Sequence, residues 1–134
     1  MSNELWRIII TVVIASHGIG HTLFLVPCLG IAKWGQTSHS WLLTNLIGDT
    51  PTRAIGSLLW LAATVGFMAA GFGVFGQQSW WRMLAIGSSI LSLFTLGLFA
   101  SGLIQPALNA AIFDVVVLVA LLLAHWPSPE LAGS

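Results

Sequence analysis

Four stretches of this chain are long, apolar and almost free of charge, which makes lipid the solvent into which they fold. No Asp, Glu, Lys or Arg lies between Arg53 and Arg82, and none between Arg82 and Asp114. A bilayer core about 30 Å thick asks for about 20 apolar residues per helix. Of the 134 residues, 57% are hydrophobic and 6% charged. Water-soluble domains carry about 25% charged residues, so this chain cannot cover a water-facing surface. Its formal net charge is zero, and no basic field suits nucleic acid. Cys28 is the single cysteine, which rules out an internal disulfide and a CxxC metal motif.

The pattern predicts one all-α domain over 1–134, an antiparallel bundle of four transmembrane helices at about 5–29, 51–76, 80–103 and 106–126. The opening MSNELWR has mixed charge, and no clean cleavage site follows it, so the first segment reads as a retained helix. Pro27 is expected to kink or stop that helix, because proline has no N–H to donate and crowds the preceding turn. Thr50 and Pro51 read as an N-cap and a first-turn proline. The two later links are short and force antiparallel neighbours. The longer first link, 30–50, holds Trp41, Leu42, Leu43, Leu46 and Ile47, a pattern for a short helix lying on the interface. A polar, proline-rich tail, 127–134, follows the fourth helix.

Tryptophan placement agrees with these spans. Trp6, Trp34, Trp80, Trp81 and Trp126 fall near predicted helix ends, where amphipathic rings favour the headgroup level. Trp60 lies inside the second helix. Orientation stays open, since Arg7 and Arg82 on one side balance Lys33 and Arg53 on the other. Ala62, Gly66 and Ala70 make a small-residue row, as do Gly97 and Ser101, with Ser88 and Ser92 a further pair; such rows let helices approach closely.

Three ionisable side chains lie well inside the apolar segments: His17, His21 and Asp114. Four residues apart on a helix, the two histidines share a face, about 6 Å apart along the axis. Phe24 and Cys28 extend that stripe. Counting outward from the helix midpoints sets His21 and Asp114 at a common depth. A carboxylate in hydrocarbon takes an interior partner, and a histidine–aspartate pair is the simplest one. Asn109 sits about 140° around the helix from Asp114 and is not on its face. His39 reads as a loop residue and His125 as an interfacial one.

This constellation has several uses. Two histidines and a carboxylate are ligands for a metal, with His17 and His21 as the spaced pair, although a metal site asks for three or more protein ligands. Two ligands on one face of one helix cannot take opposite sides of a single porphyrin, so haem would use one histidine. A lone histidine pair falls short of the several histidine boxes of membrane hydroxylases. Histidine also exchanges protons near neutrality with a quinol or carbonyl. The plainest alternative is a polar lock holding the first and fourth helices together.

Four short-looped helices, HGIGH at 17–21, Trp80-Trp81-Arg82 and NAAIFD at 109–114 together resemble the DoxX-like group of small bacterial membrane proteins. The resemblance covers the whole chain. It implies a bundle in the bacterial inner membrane, redox-linked insofar as the group takes its name from a quinol oxidase subunit. The small multidrug transporters are also four-helix proteins, but they carry an essential glutamate in the first helix. Here Glu4 stands at the extreme end and the buried acid lies on the fourth helix. The expected function is binding of a lipophilic small molecule or quinone in the bundle, with proton-coupled redox chemistry. The alternatives are an accessory subunit of a membrane complex and a small proton-coupled transporter. Quinone, haem and metal stay open as the bound group, homodimer and larger complex as the assembly, and enzyme or non-enzyme as the class.

Overall fold

A computed structural model describes residues 2–33, 36–99 and 106–133. The described residues form helices and connections, with no strand among them. In chain order the helices are α1 (Asn3–Gly20), α2 (Thr22–Leu29), α3 (Leu43–Ile47), α4 (Asp49–Phe75), α5 (Trp81–Phe99), α6 (Ala107–Leu118) and α7 (Pro129–Ala132). A π-helical turn, Val119–Leu123, extends α6. Trp34, Ser101 and Gln105 lie outside the described residues.

Three helical stretches are long and apolar enough to cross a bilayer: Asn3–Leu29, Asp49–Phe75 and Trp81–Phe99. The fourth, Ala107–Leu123, has 17 residues, roughly 25 Å at 1.5 Å per residue. Large side chains such as Leu58, Phe72, Phe94 and Leu123 point outward. Contiguous apolar surface of this kind is at home in hydrocarbon and unsuited to water.

The helices run alternately up and down, as close approaches between neighbours show. A Cβ added at Gly71 would meet Thr11 O and Ala15, and one at Gly18 would meet Phe67 and Thr64 O. Arg53 donates from Nε to Cys28 O at 3.2 Å. Ascending α1–α2 therefore follows descending α4. Between α4 and α5 the facing pairs are Gly73 with Trp81, Gly66 with Ser88, and Gly56 with Phe99. Arg82 donates to Leu121 O at 3.4 Å, setting α5 against α6. Trp6 meets Trp126 edge-on at 6.0 Å, setting α6 against α1. The buried side of α6 is Ala107, Ala110, Asp114 and Val117, continued by Leu121 in the π turn. That 3–4 spacing is the inward stripe of an amphipathic helix.

Several helix ends differ from the sequence expectation. The first helix breaks at His21 and continues through Pro27. The His21 amide bonds Gly18 O at 3.1 Å, one residue short of the α pattern. Thr22 Oγ1 donates to Ile19 O at 2.7 Å. A hydroxyl bonded back onto its own helix bends it, and Gly18 and Gly20 add backbone freedom. Pro27 sits in the last turn of α2, where a Gly30 cap at φ 76° ends the helix. Gly30 N–H bonds Pro27 O and Ile31 N–H bonds Val26 O, the pairing that satisfies a helix's last carbonyls. Thr50 is not the N-cap of α4. Gly48 takes that place and Pro51 lies inside the first turn, where its missing N–H costs nothing. A short helix is present in the first link as α3, with Leu46 outward.

The tail departs most from expectation. Leu131 and Ala132 are buried, and α7 packs against α1. Trp81 donates from Nε1 to Gly133 O at 2.6 Å. Arg82 donates to Pro127 O at 2.7 Å. Trp81 is thus a core side chain and not part of an interfacial belt, whereas Trp6, Trp80 and Trp126 are exposed at helix ends. Gly66 and Ala70 face inward as their spacing suggests, but Ala62 faces outward. Among the described residues a Cβ added at Gly97 would meet nothing, so it makes no close contact with a described helix.

Candidate functional site

Asp114 sits at the centre of the inward stripe of α6 and is fully buried. Its Oδ1 lies 3.0 Å from His17 Nε2, the one ion-pair contact among the described residues. The sequence-based depth estimate set His21 opposite Asp114. The structure gives that place to His17, because the register that sets Trp6 against Trp126 also sets His17 against Asp114. His21 lies one turn further along, at the helix break, with Nε2 3.3 Å from Ser92 Oγ on α5.

One donor atom from each of His17, His21 and Asp114 lies within 4.8 Å of the others. The cluster therefore joins α1–α2 to α6 at one point, and Ser92 ties it to α5. Aromatic rings wall it. His17 stacks on Phe113 at 3.9 Å and meets Phe67 edge-on at 4.7 Å. His21 stacks on Trp60 and on Phe67, each at 5.5 Å, and Phe24 stacks on Trp60 at 4.6 Å. Trp60, the tryptophan away from the helix ends, is a wall of the site. Low polarity around a polar cluster strengthens each interaction in it and raises the cost of any group left unpaired.

Not every polar atom is paired. Among the described residues, His21 Nδ1, Asp114 Oδ2, Trp60 Nε1 and Ser89 Oγ are buried without a protein hydrogen-bond partner. Orphans of this kind call for an explanation. Beside the cluster a cavity of about 260 Å³ opens between α1–α2 and α6, lined by His17, Gly20, His21, Phe24, Asn109 and Phe113 among others. Asn109, on a different face of α6 from Asp114, thus lines the same cavity as the histidines.

Ser92 is the member that sequence reasoning missed. Its spacing from Ser88 reads as helix packing, which is true of Ser88 beside Gly66. The available signal was a hydroxyl row, Ser88, Ser92 and Thr95, on one side of an otherwise apolar helix. His39 is an exposed loop residue and His125 is exposed beyond α6, both outside the site. Cys28 is buried in the apolar cluster of Trp60, Leu96 and Phe99 and is free.

No protein-family model matches the chain, and no solved structure matches it. The chain is similar to a high-affinity Na+/H+ antiporter, NhaS3, of Synechocystis sp., with 29% identity over 109 residues. The match covers 77% of this chain and 23% of the antiporter. This likeness and the three long apolar helices fit a membrane protein.

Proposed function

We propose that the chain is a multi-pass protein of the bacterial inner membrane, with α1–α2, α4, α5 and α6 as its four spans, and that it exchanges a small cation for protons across the bilayer. The observation that carries this reading is Asp114, a fully buried carboxylate on an apolar helix, paired at 3.0 Å with His17 and close to His21. Ionisable groups inside membrane helices are expensive and mark ion and proton pathways. The likeness to an Na+/H+ antiporter supports the same class of activity. The DoxX-like resemblance suits the architecture, and a homodimer would supply a second set of spans.

The test uses liposomes reconstituted with the full chain and loaded with a pH-reporting dye. An inward gradient of Na+, K+, Mn2+ or Zn2+ should alkalinise the lumen, as protons leave in exchange for the entering cation, only when protein is present, and Asp114→Asn should abolish the signal. If none of these ions moves protons, the exchange reading is overturned.

A second reading is supported by the cavity beside the histidines. A lipophilic molecule or quinone with a carbonyl would place its apolar part against Phe24 and Phe113 and its oxygen against His17 or His21. Lipid extraction of protein purified from native membranes, followed by mass spectrometry, should then yield a stoichiometric compound that His17→Ala lacks. If neither proton movement nor a bound compound is found, the cluster is a polar lock and the chain an accessory subunit.

A further inference from the structure

The donors at the centre of this molecule are a poor set for an alkali ion. Hard cations take carboxylate, carbonyl and water oxygens, whereas imidazole nitrogen suits zinc, copper, iron and nickel. Two imidazoles and one carboxylate are also the protein ligands of a familiar class of open zinc site, in which a fourth position stays exchangeable. We propose that His17, His21 and Asp114 form a three-ligand site for a divalent transition-metal ion of the zinc class, with its fourth position open to the cavity between α1–α2 and α6. The inference rests on the reading of this cluster as a cation site and names the kind of cation.

Four observations converge on it. One donor atom from each of the three residues, either ring nitrogen serving for a histidine, already lies within 4.8 Å of the others. A tetrahedral ion with bonds of about 2.0–2.1 Å holds its donors about 3.3 Å apart, so closing the set takes side-chain movements of about 1.5 Å. His21 and Asp114 are 1% and 0% exposed, and each keeps one buried polar atom, Nδ1 and Oδ2, without a partner among the described residues. Ser92 Oγ stands at His21 Nε2. If the hydroxyl oxygen accepts the Nε2 proton, Nδ1 is left with a free lone pair for a metal, which is how outer partners fix a ligating histidine. The cavity, at about 260 Å³, borders His17 and His21 and gives room for water or an exchanging ligand. Phe67, Phe113 and Trp60 exclude water from the remaining sides.

The experiment titrates the detergent-purified full chain with Co2+ alone, a spectroscopic stand-in for Zn2+. The expected result is one equivalent bound, with the visible absorption of four-coordinate cobalt, displaced by Zn2+ and unaffected by excess Na+. His21→Gln should abolish the band, and Ser92→Ala should weaken binding about tenfold, both with elution volume and melting temperature preserved. Should a variant misfold, the wild-type spectrum and Zn2+ retained after dialysis decide the matter. Absence of both overturns the site. A band that persists in His21→Gln overturns the ligand assignment. Cobalt bound by a protein that moves no protons upholds the metal site and sinks exchange; Na+-driven proton movement without cobalt binding does the reverse.

Discussion

Cutting the contact between His17 and Asp114 should cost more than any other single polar change in the molecule. Asp114 is wholly buried and its Oδ1 lies 3.0 Å from His17 Nε2. Removing one member of a buried charged pair costs about 3–5 kcal/mol in soluble proteins, mostly because the other is stranded. In membranes the unfolded helices find other partners, and measured hydrogen-bond couplings average about 0.6 kcal/mol with a ceiling near 1.7. A charge-assisted contact stands at the upper end. We therefore expect His17→Ala and Asp114→Ala each to destabilise by about 2 kcal/mol, and the double variant to be milder than their sum by about 1.5 kcal/mol. Reversible unfolding by SDS in mixed micelles, followed by tryptophan fluorescence, measures all four corners of the cycle. The pair His21→Gln with Asp114→Asn should lie closer to additive, since the hydrogen bond of His21 runs to Ser92. A His17–Asp114 coupling within about 0.5 kcal/mol of zero would refute the reasoning, whatever the single variants do.

Other expectations follow from packing and topology. Gly66→Leu should lower the melting temperature in detergent sharply, because even a Cβ there meets the Ser88 hydroxyl; an unchanged value would place this side of α4 away from α5. Trp81→Phe removes the 2.6 Å bond to Gly133 O and should cost about 1 kcal/mol in the SDS titration, with faster proteolysis of the tail. An unaltered tail would show that α7 is held by Leu131 and Ala132 alone. Reporter fusions after Met1 and after Ser134 should report the same compartment, and opposite compartments would remove one span from the proposed four.

The long helices were legible because charge is what lipid excludes, and no charged residue interrupts α4 or α5 after Arg53 and Arg82. Asp114 was legible for the same reason, as a rare acid in a hydrophobic run. What stayed hidden were features set by neighbours. The direct partner of Asp114 depends on the sliding register of two helices, which Trp6 and Trp126 help to set; counting from midpoints sets His21 at its depth, whereas the 3.0 Å contact is made by His17, one turn earlier in the same cluster. The break at His21 comes from Thr22 bonding Ile19 O, a local rearrangement that hydrophobicity does not encode. The tail looked polar in composition, yet Leu131 and Ala132 find a buried seat beside Trp81. Ser92 looked like a spacer until α1–α2 brought His21 to it.

The close backbone contacts of this molecule are unevenly shared, and so is its stiffness. Gly18 and Gly71 bring α1 and α4 together, and Gly66 and Gly73 do the same for α4 and α5; a methyl group would collide at Gly18, Gly66 and Gly73 and fit only tightly at Gly71. Along the line where α1 meets α6 there are instead two clefts, of about 190 and 260 Å³, on either side of His17 and Phe113. Beyond them α6 loosens into the wider π turn at Val119–Leu123, a form that recurs where helices flex or function. α6 is held to α5 by the Arg82 bonds to Leu121 O and Pro127 O, so the clefted line against α1 is its loosely packed side. Among the described residues one side-chain hydrogen bond, His17 to Asp114, crosses that line. Any ligand that takes either side chain for itself therefore uncouples α1 from α6 along the seam where their packing is thinnest.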